Sequence, residues 1–355
     1  MYSLKELGWN DFFASQLAHA HAGADPAWMP ARVSEQNRQL YRVLTGTEEL
    51  LGELSGKLRH AAAGLGDLPA VGDWVLISAR QREGRATIHH VLPRRSKFSR
   101  KVPGRKTEEQ VVAANVDVVF LVTSLNRDFN PRRMERYLSL AWESGARPIV
   151  VLNKCDLAED GPELQRQAES AALGVPVLLA SATRGDGIGA IRAFLPSGMT
   201  GALLGSSGVG KSSLINAMLG AGHLPTNAVR EGDDRGRHTT TSRQLVPLPG
   251  GGLLMDTPGM RELQLWDAGD GIAHTFADVA ELAARCRFRD CSHHDEPGCA
   301  VRSGVDHDRL QSFHKLEREE AFLNSKQDAA LRSQRSKEVR RLMKSVNKFY
   351  RDRGR

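Results

Sequence analysis

Gly205, Gly210, Lys211 and Ser212 stand in the spacing Gly-x4-Gly-Lys-Ser, behind the apolar run 202–204 and ahead of a segment of helical pattern. Glycines so placed let a loop wrap around phosphate oxygens, its N–H groups pointing inward at a helix N-terminus. Lys211 would then reach the β- and γ-phosphates, and the Ser212 hydroxyl would ligate Mg²⁺. Such a loop takes ATP or GTP alike. Asn153, Lys154, Cys155 and Asp156 follow another apolar run, PIVVL, and decide between the two. A carboxylate at Asp156 can accept from both N1–H and the exocyclic amine of guanine. Adenine offers no such donor pair, so with ATP a buried acceptor would go unpaired. Ser181 and Ala182, behind VPVLLA, fit the loop whose backbone N–H meets the guanine carbonyl. Cys155, at the variable position of its tetrapeptide, is expected to be a small buried side chain rather than a reactive thiol.

Asp256, Thr257, Pro258 and Gly259 follow the run LLM. An Asp there can hold a Mg²⁺-bound water, and Gly259 can offer its N–H to the γ-phosphate. Between the two phosphate motifs lies Gly236-Arg237-His238-Thr239-Thr240-Thr241. One of Thr239, Thr240 and Thr241, with Thr240 as the position taken, should complete the Mg²⁺ shell when GTP is bound. Met260 occupies the place where many GTPases carry a water-orienting Gln, and a thioether cannot orient water well. Intrinsic turnover should therefore be slow. His238 is the catalytic candidate, set against its reading as a solvated loop histidine. The order of the motifs is rotated: NKxD and Ser-Ala come before the phosphate loop, the threonines and DxxG. A circular permutation preserves the site while moving the termini, and it leads DTPG almost directly into the C-terminal region.

Cys286, Cys291, His293 and Cys299 form a further cluster, Cys-x4-Cys-x-His-x5-Cys. Three thiolates and one imidazole match a closed tetrahedral structural zinc site; an iron–sulfur cluster or catalytic thiols are the alternatives. His294 points the other way on any extended segment and is the lesser ligand candidate.

These residues need elements to position them. Residues 37–92 contain short, partly alternating segments separated by Gly-containing turns, which suggests a small barrel, an OB-type fold being the natural candidate. From 115 to 260, apolar β-rich runs alternate with helical segments, which argues a parallel sheet covered on both faces. Ligands bind beyond the carboxyl ends of such strands, where each nucleotide motif falls. Beyond Trp266 the pattern turns helical and polar. The chain carries 49 basic and 42 acidic residues, net +7. Residues 331–355 hold ten Lys/Arg against two acids, and 91–106 hold seven basic residues and no acid. Such runs suit a polyanionic partner. No secretory signal is read at the start, and the longest apolar run, 116–125, contains Asp117 and is too short to span a bilayer. A cytoplasmic protein with no membrane association is expected, its clustered cysteines serving metal ligation.

The permuted order, GRHTTT, DTPG and CRFRDCSHHDEPGC resemble the RsgA family, also called YjeQ or YloQ. PRRSKFSRK, AANVDVVFLVTSLN and DFNPRRMERYL extend the resemblance over about residues 37–320. It implies a multidomain fold: an OB-fold β-barrel (36–100), a circularly permuted α/β P-loop GTPase domain (101–266) and a zinc-binding α-helical C-terminal domain (267–355), whose far tail matches only in being basic and helical; residues 1–35 stand outside the resemblance as an N-terminal extension. It implies guanine contacts at Asn153, Lys154, Cys155 and Asp156, and phosphate contacts at Gly205, Ser206, Ser207, Gly208, Val209, Gly210, Lys211, Ser212 and Ser213. One structural Zn²⁺ at Cys286, Cys291, His293 and Cys299 is implied too, as is a hydrophobic residue at the place of Met260. The expected activity is GTP hydrolysis stimulated by the small ribosomal subunit during its late maturation. Partners are that subunit and its rRNA, with GTP and GDP as ligands, and the chain is expected to be a monomer. The first 35 residues and the far C-terminal tail are assigned no role. Two other readings compete: a zinc-stabilised rRNA-binding adaptor in which GTP only regulates, and an ATP-dependent kinase, which Asp156 opposes.

Overall fold

The computed structural model describes residues 2–21, 25–37, 40–101, 109–125, 129–220, 243–256 and 269–325. Five strands make the N-terminal barrel: β1 (Met29–Asn37), β2 (Leu40–Leu44), β3 (Glu49–Leu54), β4 (Trp74–Arg80) and β5 (Arg85–Val91). Their order is β1-β2-β3-β5-β4, and β4 pairs back onto β1, closing the barrel. The β3–β5 pair is parallel and the others antiparallel. Val33, Val43, Leu50, Val75, Ile77 and Ile88 fill its interior as inward members of alternating strands. A helix, α2 (Gly56–Ala61), capped by the Ser55 hydroxyl, spans from β3 towards β4. This is the OB-type barrel expected from the turn spacing, but it starts earlier. The expected boundary at residue 36 falls inside β1. In that strand Pro30 and the polar VSEQN stretch hide the alternation, and burial of Ala31 and Val33 supplies it.

The residues before β1 are not a free extension. A helix, α1 (Asp11–His21), and the turn ahead of it place Leu7, Trp9 and Phe13 on Trp74, whose ring lies 4.8 Å from that of Trp9. Arg32 is buried beneath them and donates to the carbonyls of Leu7, Gly72 and Asn115. Burial brings its pKa down to about 10, opposed by Asp117 and Asp73. One guanidinium thus ties the N-terminal turn, the barrel and the start of the next unit together.

A two-stranded ribbon, β6 (Lys97–Lys101) with β7 (Glu109–Ala114), links the barrel to the central sheet. Its first strand carries Lys97, Arg100 and Lys101 of the basic run 91–106, and Arg94 and Arg95 lead into it. Here several of those charges face carboxylates: Arg94 pairs with fully buried Asp73 at 2.8 Å, Lys97 with Glu109 at 2.8 Å, and Arg95 with Asp117 at 3.4 Å. Part of the run expected to meet a polyanion is therefore occupied in joining two units.

The central sheet is built from β8 (Val118–Ser124), β9 (Arg147–Asn153), β10 (Val177–Leu179), β11 (Thr200–Leu204), β12 (Arg243–Pro247) and β13 (Leu253–Asp256), in the order β10-β9-β8-β11-β13-β12. All its pairs are parallel except β12–β13. Along β8, Val119 and Leu121 face α3 (Pro131–Glu143) and α4 (Gly161–Ala171), while Val118, Phe120 and Val122 face α5 (Ile188–Arg192) and α6 (Lys211–Leu219). A strand buried on both faces reads as continuous apolar sequence, which is why these runs were legible. β12 also pairs antiparallel with β1, through Glu35↔Gln244 and Gln36↔Arg243, so barrel and sheet form one continuous ladder.

The C-terminal region is helical: α7 (Gly269–Thr275), α8 (Ala277–Ala283), α9 (Ala300–Gly304) and α10 (307–325), with the cysteine-rich turns between α8 and α9. Among the described residues no helix is long and apolar enough to cross a membrane.

Candidate nucleotide site and metal centre

The phosphate loop leaves β11 at Gly205 and enters α6 at Lys211. Two glycines are required by close approach. A Cβ at Gly205 would lie 2.1 Å from the Val122 carbonyl, and one at Gly210 (φ +93°) would lie 2.3 Å from the Asn153 amide nitrogen. Lys211 Nζ donates to the carbonyls of Gly205 (2.7 Å) and Ser206 (2.6 Å), so the ammonium sits over the loop that is to receive phosphate.

Asn153, Lys154 and Asp156 come together with this loop from the end of β9, but in different capacities. Asn153 is buried and its amide is used by the protein: Nδ2 donates to the Val209 carbonyl at 2.8 Å, and Oδ1 accepts from Ala182 N at 3.2 Å. It staples three loops. Lys154 adopts the left-handed conformation (φ +63°) and donates to the Gly208 carbonyl at 2.8 Å, a conformation that L-residues adopt only when their surroundings enforce it. Asp156 differs from both. Its Oδ1 is buried without a hydrogen-bond partner, and the Ser181 hydroxyl holds its carboxyl below the usual carboxylate range. An ionised, orphaned acceptor at a strand's carboxyl end is a receptor for a donor pair. Cys155 is half-buried, and burial beside Asp156 pushes its thiol up, so it is no reactive thiolate.

Ser212 lies in the first turn of α6, and Asp256 ends β13, the strand beside β11. Burial pushes the Asp256 carboxyl above its usual range. A hydroxyl and a carboxylate are oxygen donors of the kind Mg²⁺ takes, and a cation beside Asp256 would offset that burial. Gly259, Met260, His238 and Thr239, Thr240 and Thr241 lie outside the described residues.

One contact was not anticipated. Arg133 of α3 donates from Nη1 to Ser206 Oγ at 3.1 Å, with Tyr137 Oη 3.4 Å from the same atom. Both belong to DFNPRRMERYL, in which the residue types alone signal nothing about a loop 70 residues away.

In the C-terminal region the ligand atoms of Cys286, Cys291, His293 and Cys299 all lie within 4.8 Å of one another. Cys286 and Cys299 Sγ are 4.0 Å apart, and His293 Nδ1 is 3.7 and 3.5 Å from them. Zn–S bonds of about 2.3 Å at tetrahedral angles span an edge of about 3.8 Å, so the set fits one zinc ion, with His293 presenting Nδ1. Cys299 caps α9, its Sγ accepting from Arg302 N at 3.4 Å. Glu296 accepts from the Ser292 and His294 backbones and from the Ser292 hydroxyl, which bring it down to about 2 and brace the turn. His294 turns away and stacks on His314, ring centres 4.1 Å apart.

Fold and site together define a P-loop GTPase with circularly permuted motifs, an OB-type barrel before it and a Cys₃His helical unit after it. The sequence profile of the RsgA GTPase family matches residues 91–266. The small ribosomal subunit biogenesis GTPase RsgA of Opitutus terrae is 46% identical over 343 residues, covering 93% of each chain. Its namesake from Syntrophotalea carbinolica is 41% identical over 365 residues, covering 99% of each. The crystal structure of YjeQ from Thermotoga maritima is similar at a TM-score of 0.63 and 28% identity, over 83% of this chain and 99% of that one. YloQ, described as a circularly permuted GTPase, shares the fold at a TM-score of 0.61 and 23% identity, over 83% of this chain and 95% of its own. The chain belongs to the RsgA GTPase family and is a GTP hydrolase.

Proposed function

We propose that this chain hydrolyses GTP as a monomeric maturation factor of the small ribosomal subunit, acting late and turning over fast only when bound to that subunit and its rRNA. The observation that carries the guanine assignment is the buried, unpartnered Asp156 Oδ1 beside the Ser181–Ala182 turn. Asp156 would accept from guanine N1–H and its amine, and the Ala182 region would meet the guanine carbonyl. Asn153 and Lys154 hold the loops in place, and the backbone from Gly205 to Ser213 cradles the phosphates under Lys211. Ser212 and Asp256 would hold Mg²⁺, which supplies charge neutralisation at the β- and γ-phosphates. Gly259 and one of the three threonines would complete that end, with His238 as the candidate for orienting water. Cys286, Cys291, His293 and Cys299 would hold a structural zinc. The ribosomal assignment rests on the curated relatives of near-equal length, which carry it in their names.

Turnover of GTP and ATP is to be measured with and without purified small subunits. GTP should be preferred, and subunits should raise its turnover at least tenfold; an unstimulated rate would sink the ribosomal reading. Asp156→Asn should erode the GTP-over-ATP preference by a hundredfold or more, as sites built to hydrogen-bond a substrate do when the pairing is lost. An unchanged preference would refute the base-recognition assignment.

A further inference from the structure

Lys211 is the cation that motif spacing places at the phosphate loop, and the fold brings a second one to it. Arg133 Nη1 donates to Ser206 Oγ at 3.1 Å, and Tyr137 Oη stands 3.4 Å from the same oxygen. Residues 133 and 137 are four apart in α3 and share one face of the helix. Other contacts hold α3 in place. Asn130 caps it, Oδ1 accepting from Arg133 N at 3.1 Å, and Pro131 opens the first turn. Arg309 meets buried Glu135 at 2.9 Å, Ser139 Oγ donates to Thr275 Oγ1 at 3.1 Å, and Arg136 Nη2 donates to Glu319 at 2.7 Å. The guanidinium therefore comes from a fastened helix.

Ser206 links the two cations. Its hydroxyl accepts from Arg133, and its carbonyl accepts from Lys211 Nζ at 2.6 Å, beside the Gly205 carbonyl at 2.7 Å. We propose that Arg133 is a positioning residue for GTP hydrolysis: through the Ser206 hydroxyl it fixes the residue whose carbonyl aims the Lys211 ammonium. The inference rests on the phosphate-loop assignment made above. A hydrogen bond from an ionised donor is roughly twice as strong as a neutral one, so Arg133 restrains Ser206 more firmly than Tyr137 does. Phosphoryl transfer is catalysed mainly by positioned charge. A small displacement of the ammonium thus costs more in the transition state than in the bound ground state. With Met260 in the place where many GTPases carry a water-orienting Gln, more of the rate rests on such placement.

The zinc-loaded full chain is to be compared with Arg133→Met, Ser206→Ala and the double variant in single-turnover GTP hydrolysis with Mg²⁺ in excess. Arg133→Met should lower the rate constant by about tenfold or more and weaken labelled GDP by less than about threefold, a division that a collapsed loop does not give. Ser206→Ala should slow hydrolysis by a similar factor. The double variant should lie within about twofold of the slower single one, because both changes break the same chain of contacts. The contact uses one guanidinium nitrogen, so Arg133→Lys, which keeps a charged donor, should stay within about threefold of the parent. An unchanged rate in Arg133→Met would overturn the proposal, as would GDP affinity falling in parallel with the rate or a Lys variant as slow as the Met one. So would a parental rate in Ser206→Ala, or factors that multiply in the double variant, either of which takes Arg133 off the route through Ser206. Lys211→Ala is the control for the loop itself. If it binds and hydrolyses GTP like the parent, the phosphate-loop assignment fails; if it is impaired while Arg133→Met is not, only the role of Arg133 falls.

Discussion

The nucleotide loops and the Cys₃His turn are held in opposite ways. The loops come from β9, β10 and β11 and are fastened to one another by protein alone. Asn153 reaches Val209 across 56 residues and Ala182 across 29, and Lys154 reaches Gly208 across 54. A parallel sheet buried on both faces stands behind them, so the receptacle exists before its ligand. The candidate metal ligands run from Cys286 to Cys299, in turns, with half-exposed Cys286 and Cys291, the short α8 and α9 on either side and α10 against His294. There the protein supplies donors in proximity, and a bound ion would supply the cross-link. A site built from long-range contacts resists loss of its ligand; a site built from local ones does not.

The largest effect expected from that difference is on metal removal. Binding free energy of a structural zinc is folding free energy, on the order of 10 kcal/mol in small zinc domains. Stripping the ion with a strong chelator, or replacing Cys291 with Ser, should unfold 285–304 and detach a cooperative transition from the main one in calorimetry. GDP affinity should change less than about threefold. Parallel loss of GDP binding would show that the two sites form one cooperative unit and break the comparison.

The next effect lies at the seam between them. Arg309 joins Glu135 of α3 to Asp278 of α8, at 2.9 and 2.8 Å, with its guanidinium 4.8 Å from the Phe276 ring. Removing one partner of a buried pair leaves charge uncompensated, so Arg309→Met should cost about 3–5 kcal/mol in urea denaturation. Burial alone would raise the Asp278 carboxyl, but Arg309 outweighs it and holds the carboxyl below its usual range. That contribution is present above the unfolded pKa and lost as pH falls through the lower folded one. The variant's stability should therefore fall less steeply than the parent's at the acid end, and an equal slope would remove Asp278 from the account. GDP affinity should again be nearly unchanged.

The same contrast decides what could be read from residues alone. Both candidate sites announce themselves by local spacing: Gly-x4-Gly-Lys-Ser suits a loop around phosphate, and three cysteines with one histidine suit a metal ion. Core strands such as β8 were legible because burial on both faces leaves an unbroken apolar run. β1 was not, since its polar residues lie in a barrel wall whose closure on β4 and β12 is decided by distant partners. Arg32 looks like a surface charge until three carbonyls from separate segments converge on it. Arg94 and Lys97 read as part of a polyanion-binding run, and only the fold shows Asp73 and Glu109 beside them. Arg133 could not be linked to Ser206 by any spacing rule, because the contact spans 73 residues.

The smallest effect separates fastening from recognition inside the nucleotide site. Asn153 and Asp156 sit three residues apart in one motif, yet one amide is spent on Val209 and Ala182 while the other side chain keeps an oxygen waiting. Asn153→Ala removes two hydrogen bonds and leaves the Val209 carbonyl, on a buried residue, without its partner, a cost of about 1–3 kcal/mol. The carboxylate proposed to read guanine stays. Titration of labelled GDP, GTP and ATP should show all three weakened together by roughly ten- to a hundredfold, with the GTP-over-ATP ratio kept within about threefold of the parent. In Asp156→Asn the ratio should collapse instead. If the ratio collapses equally in Asn153→Ala, the amide takes part in reading the base, and the division between a fastened frame and a single open acceptor is wrong.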